Sequence, residues 1–253
     1  MKKKLYSVFA VIILIVTASS FQTKEGKLDV EFPGTVFVKD SLFFDYQEIT
    51  NINWKEFMHW QKSEKGEFSL EYKNSIPDTT VWDAQYYYFQ NTYFSHPKFN
   101  NYPVVGIRYD QAVAFCKWRT ERVKDMFEIE KKKHPKMQIP NFRYRLPTKA
   151  EWEFVANADY SEKTLKEIEK TIKKDKSKDP KTQDTINPAN SLWPNKYGVF
   201  GLKTNVSEFI QEKGIAMGGN FTLGYEKALL EQKITSVQIE KWLGFRCVCE
   251  ILK

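Results

Sequence analysis

In "NFRYRLPTKAEWEFVANA" (141–158), Thr148 and Glu151 stand three apart directly after Pro147. That is the spacing of a capping box, in which each side chain satisfies the other residue's backbone N–H at a helix start. Trp152 and Val155 give this helix an inward face. The box fixes a helix; the fold has to be read from what surrounds it.

Upstream, "NYPVVGIRYDQAVAFCKWRTERVKDMF" (101–127) reads as a short buried strand passing into a helix that Asp110 can cap. Ala112, Phe115, Cys116 and Val123 lie near one helical face, and the charged residues lie off it. Further upstream, "VFVKDSLFFDY" (36–46) has strand composition. It leads into "EITNINWKEFMHWQ" (48–61), where Thr50 or Asn51 can cap a helix carrying Trp54, Phe57, Met58 and Gln61 inward. Between them, residues 76–102 are rich in Tyr, Phe, Asn and Pro with no clean period, and read as irregular chain held by aromatic packing.

Downstream, residues 159–187 are rich in Lys and acids of nearly balanced charge, a surface insertion whose first half suits a solvated helix. Packed patterning resumes in "NKYGVFGLKTNVSEFI" (195–210), a Gly218-Gly219 turn, a helical-looking stretch at 226–243 and a final strand at 244–252. The expectation is a single α+β domain over residues 28–253, with short strands, few helices and much irregular chain.

The first 20 residues have the layout of a secretory signal peptide: Lys2, Lys3 and Lys4, a 14-residue apolar run, then small residues before Ser19 and Ser20. The run is shorter than the ~20 residues a spanning helix needs, so no transmembrane span is expected after cleavage. No cysteine follows the run, so the expected product is exported to the periplasm or cell envelope and is not a lipoprotein. Without the three leading lysines, 36 basic residues face 32 acidic ones, a net charge of +4 that gives no case for nucleic acid. Cys116, Cys247 and Cys249 read as buried small hydrophobes, and His59, His96 and His134 are too scattered for a metal site.

Taken in order, "YQEITNINWKEFMHW", "YPVVGIRYDQAVAFCKWRTER", "YRLPTKAEWEFVA", "NKYGVFGLKTNVSEF", "MGGNF" and "GFRCV" resemble the sulfatase-modifying-factor family, the fold of formylglycine-generating enzyme. Residues 76–123 are more specifically similar to its gliding-motility lipoprotein branch, which belongs with the type IX secretion machinery of Bacteroidota. That branch implies a structural component of the cell envelope.

In catalytic members, two cysteines after the Gly-Gly turn bind copper and activate oxygen to turn a substrate cysteine into formylglycine. Thiolates suit Cu(I), yet this chain has no cysteine from Gly218 to Gly244. Copper is therefore not expected, no residue is assigned a catalytic role, and the domain reads as a pseudoenzyme. Asn205 and Glu208 match part of the family's calcium loop. Calcium is the candidate cation there, against Glu208 as a plain hydrogen-bond acceptor. Gly218, Gly219, Asn220 and Phe221 are the binding candidates, for an envelope protein partner, a peptide or a glycan. The competing reading is an oxidoreductase of the same superfamily with different metal chemistry.

Overall fold

The computed structural model describes residues 31–176, 185–230, 233–235 and 238–252. The expected signal peptide at 1–20 and part of the charged insertion lie outside the described residues.

The chain opens with a hairpin, β1 (Thr35–Lys39) and β2 (Leu42–Asp45), where a single strand was expected. Asp40 breaks that strand by taking a positive φ of 50° between the arms, a conformation short polar side chains tolerate. Next comes α1 (Asn51–Lys65), capped as the sequence indicates. The Thr50 hydroxyl accepts from the Asn53 backbone, and the Asn53 side chain accepts in return from the Thr50 N–H. Two short helices follow, α2 (Leu70–Lys73) and α3 (Tyr87–Thr92), the second within the aromatic segment.

The long helix α4 (Tyr109–Lys133) starts one residue before Asp110. Its cap is Arg108, whose N–H is accepted by Gln111 Oε1 at 2.6 Å, while Asp110 sits in the first turn beside the Arg108 guanidinium. The strand expected before it is only an isolated bridge, Thr50 to Pro103. Proline offers no N–H for a longer ladder.

β3 (Phe142–Arg145) then precedes α5 (Lys149–Ala156), where Thr148 and Glu151 form the expected capping box. The insertion contributes α6 (Glu162–Lys176), which buries Thr164 and Ile168 and ends against the segment at 225–226, where Asp175 Oδ2 accepts the Tyr225 N–H at 3.1 Å. The remaining elements are β4 (Ser207–Phe209), β5 (Ile215–Met217), α7 (Tyr225–Leu230), β6 (Lys233–Thr235), β7 (Leu243–Phe245) and β8 (Val248–Ile251). The helix expected over 226–243 is thus a six-residue helix and a strand. Pairing of Ile234 with Ala216 on β5 overrides the helical propensity of that stretch.

Two four-stranded sheets result. One is antiparallel in the order β1-β2-β8-β3, and the other runs β6-β5-β4-β7 with β4 and β7 parallel. The final strand expected at 244–252 is split between them. Phe245 ends its pairing in the second sheet, Val248 begins pairing in the first, and Arg246 and Cys247 turn the corner. Around this corner lie three buried clusters. The largest joins α1 and α4, with Trp54 stacked on Phe115 at 5.5 Å and Phe245 set edge-on to both. A second gathers Phe44, Trp152 and Met217, and a third centres on Trp82, Tyr93 and Phe99 from the aromatic segment. Among the described residues, no helix is long and apolar enough to cross a membrane.

Candidate functional site

At the corner between the sheets, Arg246 has no exposed surface, so its charge must be met inside the protein. Glu208 on β4 meets it: Arg246 Nε lies 2.9 Å from both carboxylate oxygens, and Nη2 lies 2.6 Å from Oε1. Nη1 also donates to the carbonyl of Asp45 at 3.1 Å, and Nη2 to that of Phe200 at 2.8 Å. From the opposite side the Trp152 indole N–H donates to Glu208 Oε2 at 3.0 Å. Helix α5, both sheets and the loop before β4 are therefore held by one ion pair.

A second carboxylate completes the group. Glu48 is also fully buried, with Oε2 3.9 Å from Arg246 Nη2 and Oε1 accepting from Asn205 Nδ2 at 3.0 Å. Burial raises its pKa from 4.5 to about 7, with the Glu208 charge adding to the rise and Arg246 opposing it. Glu48 Oε2 has no hydrogen-bond partner. Gly201 makes room for this carboxylate: a Cβ there would sit 2.8 Å from Glu48 Oε1, and its φ of 69° suits glycine.

This proton has a thermodynamic sign. Between pH 4.5 and about 7 the folded state holds a proton that the unfolded chain has released, so the stability from Glu48 is complete below pH 4.5 and is lost as pH rises through about 7. The loss is about 3 kcal/mol. Glu48→Gln, which mimics the neutral form, is expected to flatten that part of the stability profile. Urea unfolding at a series of pH values measures it, and a profile parallel to the unsubstituted protein would refute the assignment.

The predicted calcium residues are both part of this group. Asn205, at a φ of 70°, accepts from the Asn187 N–H at 2.9 Å, and its backbone carbonyl accepts from Phe221 N at 2.9 Å. Glu208 acts as a hydrogen-bond acceptor on both oxygens. The positive charge beside Glu208 is the Arg246 guanidinium. Among the described residues, no group of three or more His, Cys, Asp or Glu is arranged to hold a metal.

The four binding candidates are brought together in one tightly packed turn. A Cβ on Gly218 would overlap the Leu202 carbonyl and meet Trp152 at 3.0 Å, and a Cβ on Gly219 would overlap the backbone of Ala228. Asn220 is buried, donating to Ser207 Oγ at 3.0 Å and accepting from Thr222 N at 3.1 Å. The Phe221 ring sits edge-on to Tyr86 at 5.9 Å. Thr222, next to the four, is exposed. Gly219→Ala, with backbone on both sides of the clash, is expected to cost about 3 kcal/mol or more. A thermal midpoint unchanged by it would show that α7 yields at no cost.

Sequence reading missed Glu48, Trp152, Asn187 and Arg246 as members of one site. A signal existed for one of them: Arg246 interrupts the apolar run GF-CVC, as Glu208 interrupts NVS-FI, and buried charges of opposite sign need each other. A second buried pair lies nearby, Arg119 to Asp45 Oδ2 at 2.7 Å, where the same oxygen accepts the Cys247 N–H at 2.8 Å. A shallow depression of about 460 Å³ lies apart from both pairs, between Phe154 and Tyr197 at the outer side of α5.

Two small sheets joined by a broken strand and a buried ion pair, with much irregular chain between, define a mixed α+β domain. The sequence matches the family described as the sulfatase-modifying factor enzyme 1-like domain over residues 12–251, and the chain belongs to that family. Among solved structures it is similar to the crystal structure of CarF, with 17% identity and a TM-score of 0.53 over 90% of this chain and 96% of that one. It is also similar to the Treponema denticola variable protein 1, at 15% identity and a TM-score of 0.49 over 86% of this chain and 91% of that one. A third is PvdO from Pseudomonas aeruginosa, at 14% identity and a TM-score of 0.47 over 83% and 80%. CarF supports the shared fold alone. No curated protein sequence matches the chain.

Proposed function

We propose that this chain is an exported, non-catalytic member of its family that serves as a structural or binding component of the cell envelope, in the manner of the gliding-motility and type IX secretion branch. One observation carries the reading: no cysteine lies between the Gly218-Gly219 turn and Gly244, and the three cysteines of the chain are all buried in the core. The copper chemistry of catalytic members needs accessible thiolates. Burial instead pushes Cys247 and Cys249 well above the ordinary thiol range, which keeps them protonated and inert. The residues present do not fit a copper centre. What the chain does keep is the scaffold, held by a buried ion pair, and a scaffold without that chemistry suits a partner-binding role.

The test is elemental analysis of protein purified from the cell envelope without chelator, with calcium and copper titrations of its thermal midpoint. No stoichiometric transition metal, and no shift with either ion, is the expected result. Stoichiometric copper or iron, together with oxidation of a cysteine-containing peptide, would overturn it.

A further inference from the structure

Phe154 is left 41% exposed on α5, whose other large apolar residues, Trp152 and Val155, are buried. It belongs to the outer stripe of that helix, where Ala150, Glu153, Phe154 and Asn157 share a face at helical spacing. These four line the shallow depression of about 460 Å³, and Lys196 and Tyr197 form its opposite wall. We propose that this depression is a sugar-binding subsite that takes a neutral pyranose unit of a β-linked glycan on the Phe154 and Tyr197 rings.

A buried residue fixes the two walls. Asn195 Nδ2 donates to the Val155 carbonyl of α5 at 2.7 Å, while its Oδ1 accepts from the N–H groups of Tyr197 at 3.0 Å and Val199 at 3.2 Å. The Lys196 N–H donates to the Asp159 carbonyl at 2.8 Å. The loop carrying Tyr197 is thereby tied to the end of α5, with the two ring centres 6.2 Å apart and their planes at 33°. Lys39 Nζ lies 3.9 Å from the Phe154 ring centre and holds that ring from the end of β1. Walls already ordered lower the cost of binding.

The lining selects the ligand. The two tilted rings make an apolar shelf, and the small side chains of Ala150 and Ala158 leave space beside it. Around the shelf stand Glu153 as an acceptor, Lys196 as a donor and exposed Asn157, whose amide is both. The charges are already balanced, Glu153 by Lys149 at 3.5 Å and Lys196 by Asp159 at 3.7 Å, so a neutral guest is favoured. A pyranose combines C–H faces that stack on aromatic rings with edge hydroxyls that donate and accept. β-Linkage keeps those faces flat from one unit to the next. The volume falls within the ~300–1,000 Å³ of small-molecule sites. A glycan ligand deepens the binding role proposed above and rests on that reading.

Cellohexaose, chitohexaose and an oligogalacturonate are titrated separately to millimolar concentration into isotope-labelled protein, and amide shifts are read by NMR. Saturable shifts confined to residues 150–158 and 196–198 are expected with at least one of the two neutral sugars. Phe154→Ala and Asn157→Ala, both at exposed positions, should each weaken that binding about tenfold. Tyr88→Ala removes an exposed aromatic elsewhere and should leave it unchanged. No saturable shift with either neutral sugar, shifts centred on Tyr87 and Tyr88, or unchanged affinity in Phe154→Ala would overturn the site. Tighter binding of the oligogalacturonate would overturn the neutral ligand. Failure of the sugars leaves the non-catalytic reading standing, whereas copper with peptide oxidation would overturn that reading and leave the sugar shifts in place.

Discussion

Arg246→Met is expected to destabilise the protein by about 3–5 kcal/mol, the range for removing one partner of a buried ion pair. The substitution leaves the Glu208 carboxylate with no exposed surface and no counter-charge, beside a buried Glu48 that Arg246 no longer helps to ionise. It also strands the carbonyls of Asp45 and Phe200. Against a total stability of about 5–15 kcal/mol, such a loss brings the protein close to unfolding at ambient temperature. Urea denaturation measures it, and the double variant Arg246→Met with Glu208→Gln supplies the control. If stranded charge is the cause, neutralising Glu208 should recover part of the loss. A double variant as unstable as the single one would place the cost in lost packing instead.

The second large effect is expected at Trp152, which does two jobs at once. Its ring fills the cluster with Phe44 and Met217 and lies under Gly218, while its N–H serves Glu208. Trp152→Ala should cost about 3–5 kcal/mol, as emptied aromatic sites in cores do. Trp152→Phe keeps most of the volume and removes only the donor, so it should cost about 1.5–3 kcal/mol, the range for a bond to a charged group. Equilibrium unfolding of both variants separates the two contributions. A phenylalanine variant as stable as the parent would show that the carboxylate is satisfied by Arg246 alone.

What could be read in advance was what lies close along the chain. The Thr50 and Thr148 caps and the inward Trp54, Phe57 and Gln61 are set by residues three or four apart, and the structure shows them. The ordered family blocks carried the fold class. Reading failed where distant partners decide. The Leu-, Glu- and Lys-containing stretch from 226 has helical composition, but β6 forms there because β5 offers an edge. Glu48 looked like a residue ahead of a helix cap, yet it meets Asn205 from 157 positions away. The carbonyl of Asp45 meets Arg246 across 201 positions. No local period records such meetings.

The broken strand at Arg246 also fixes an order of events. In the first sheet β8 lies between β2 and β3, so elements made early cannot be joined until residues 248–251 arrive, and β7, the partner of β4, arrives only just before them at 243–245. A nascent chain arrested before residue 243 holds neither sheet complete and has no guanidinium for Glu208. Such closure across most of the sequence delays folding until synthesis of the domain is nearly finished. The emerging polypeptide therefore stays open and threadable for most of its synthesis.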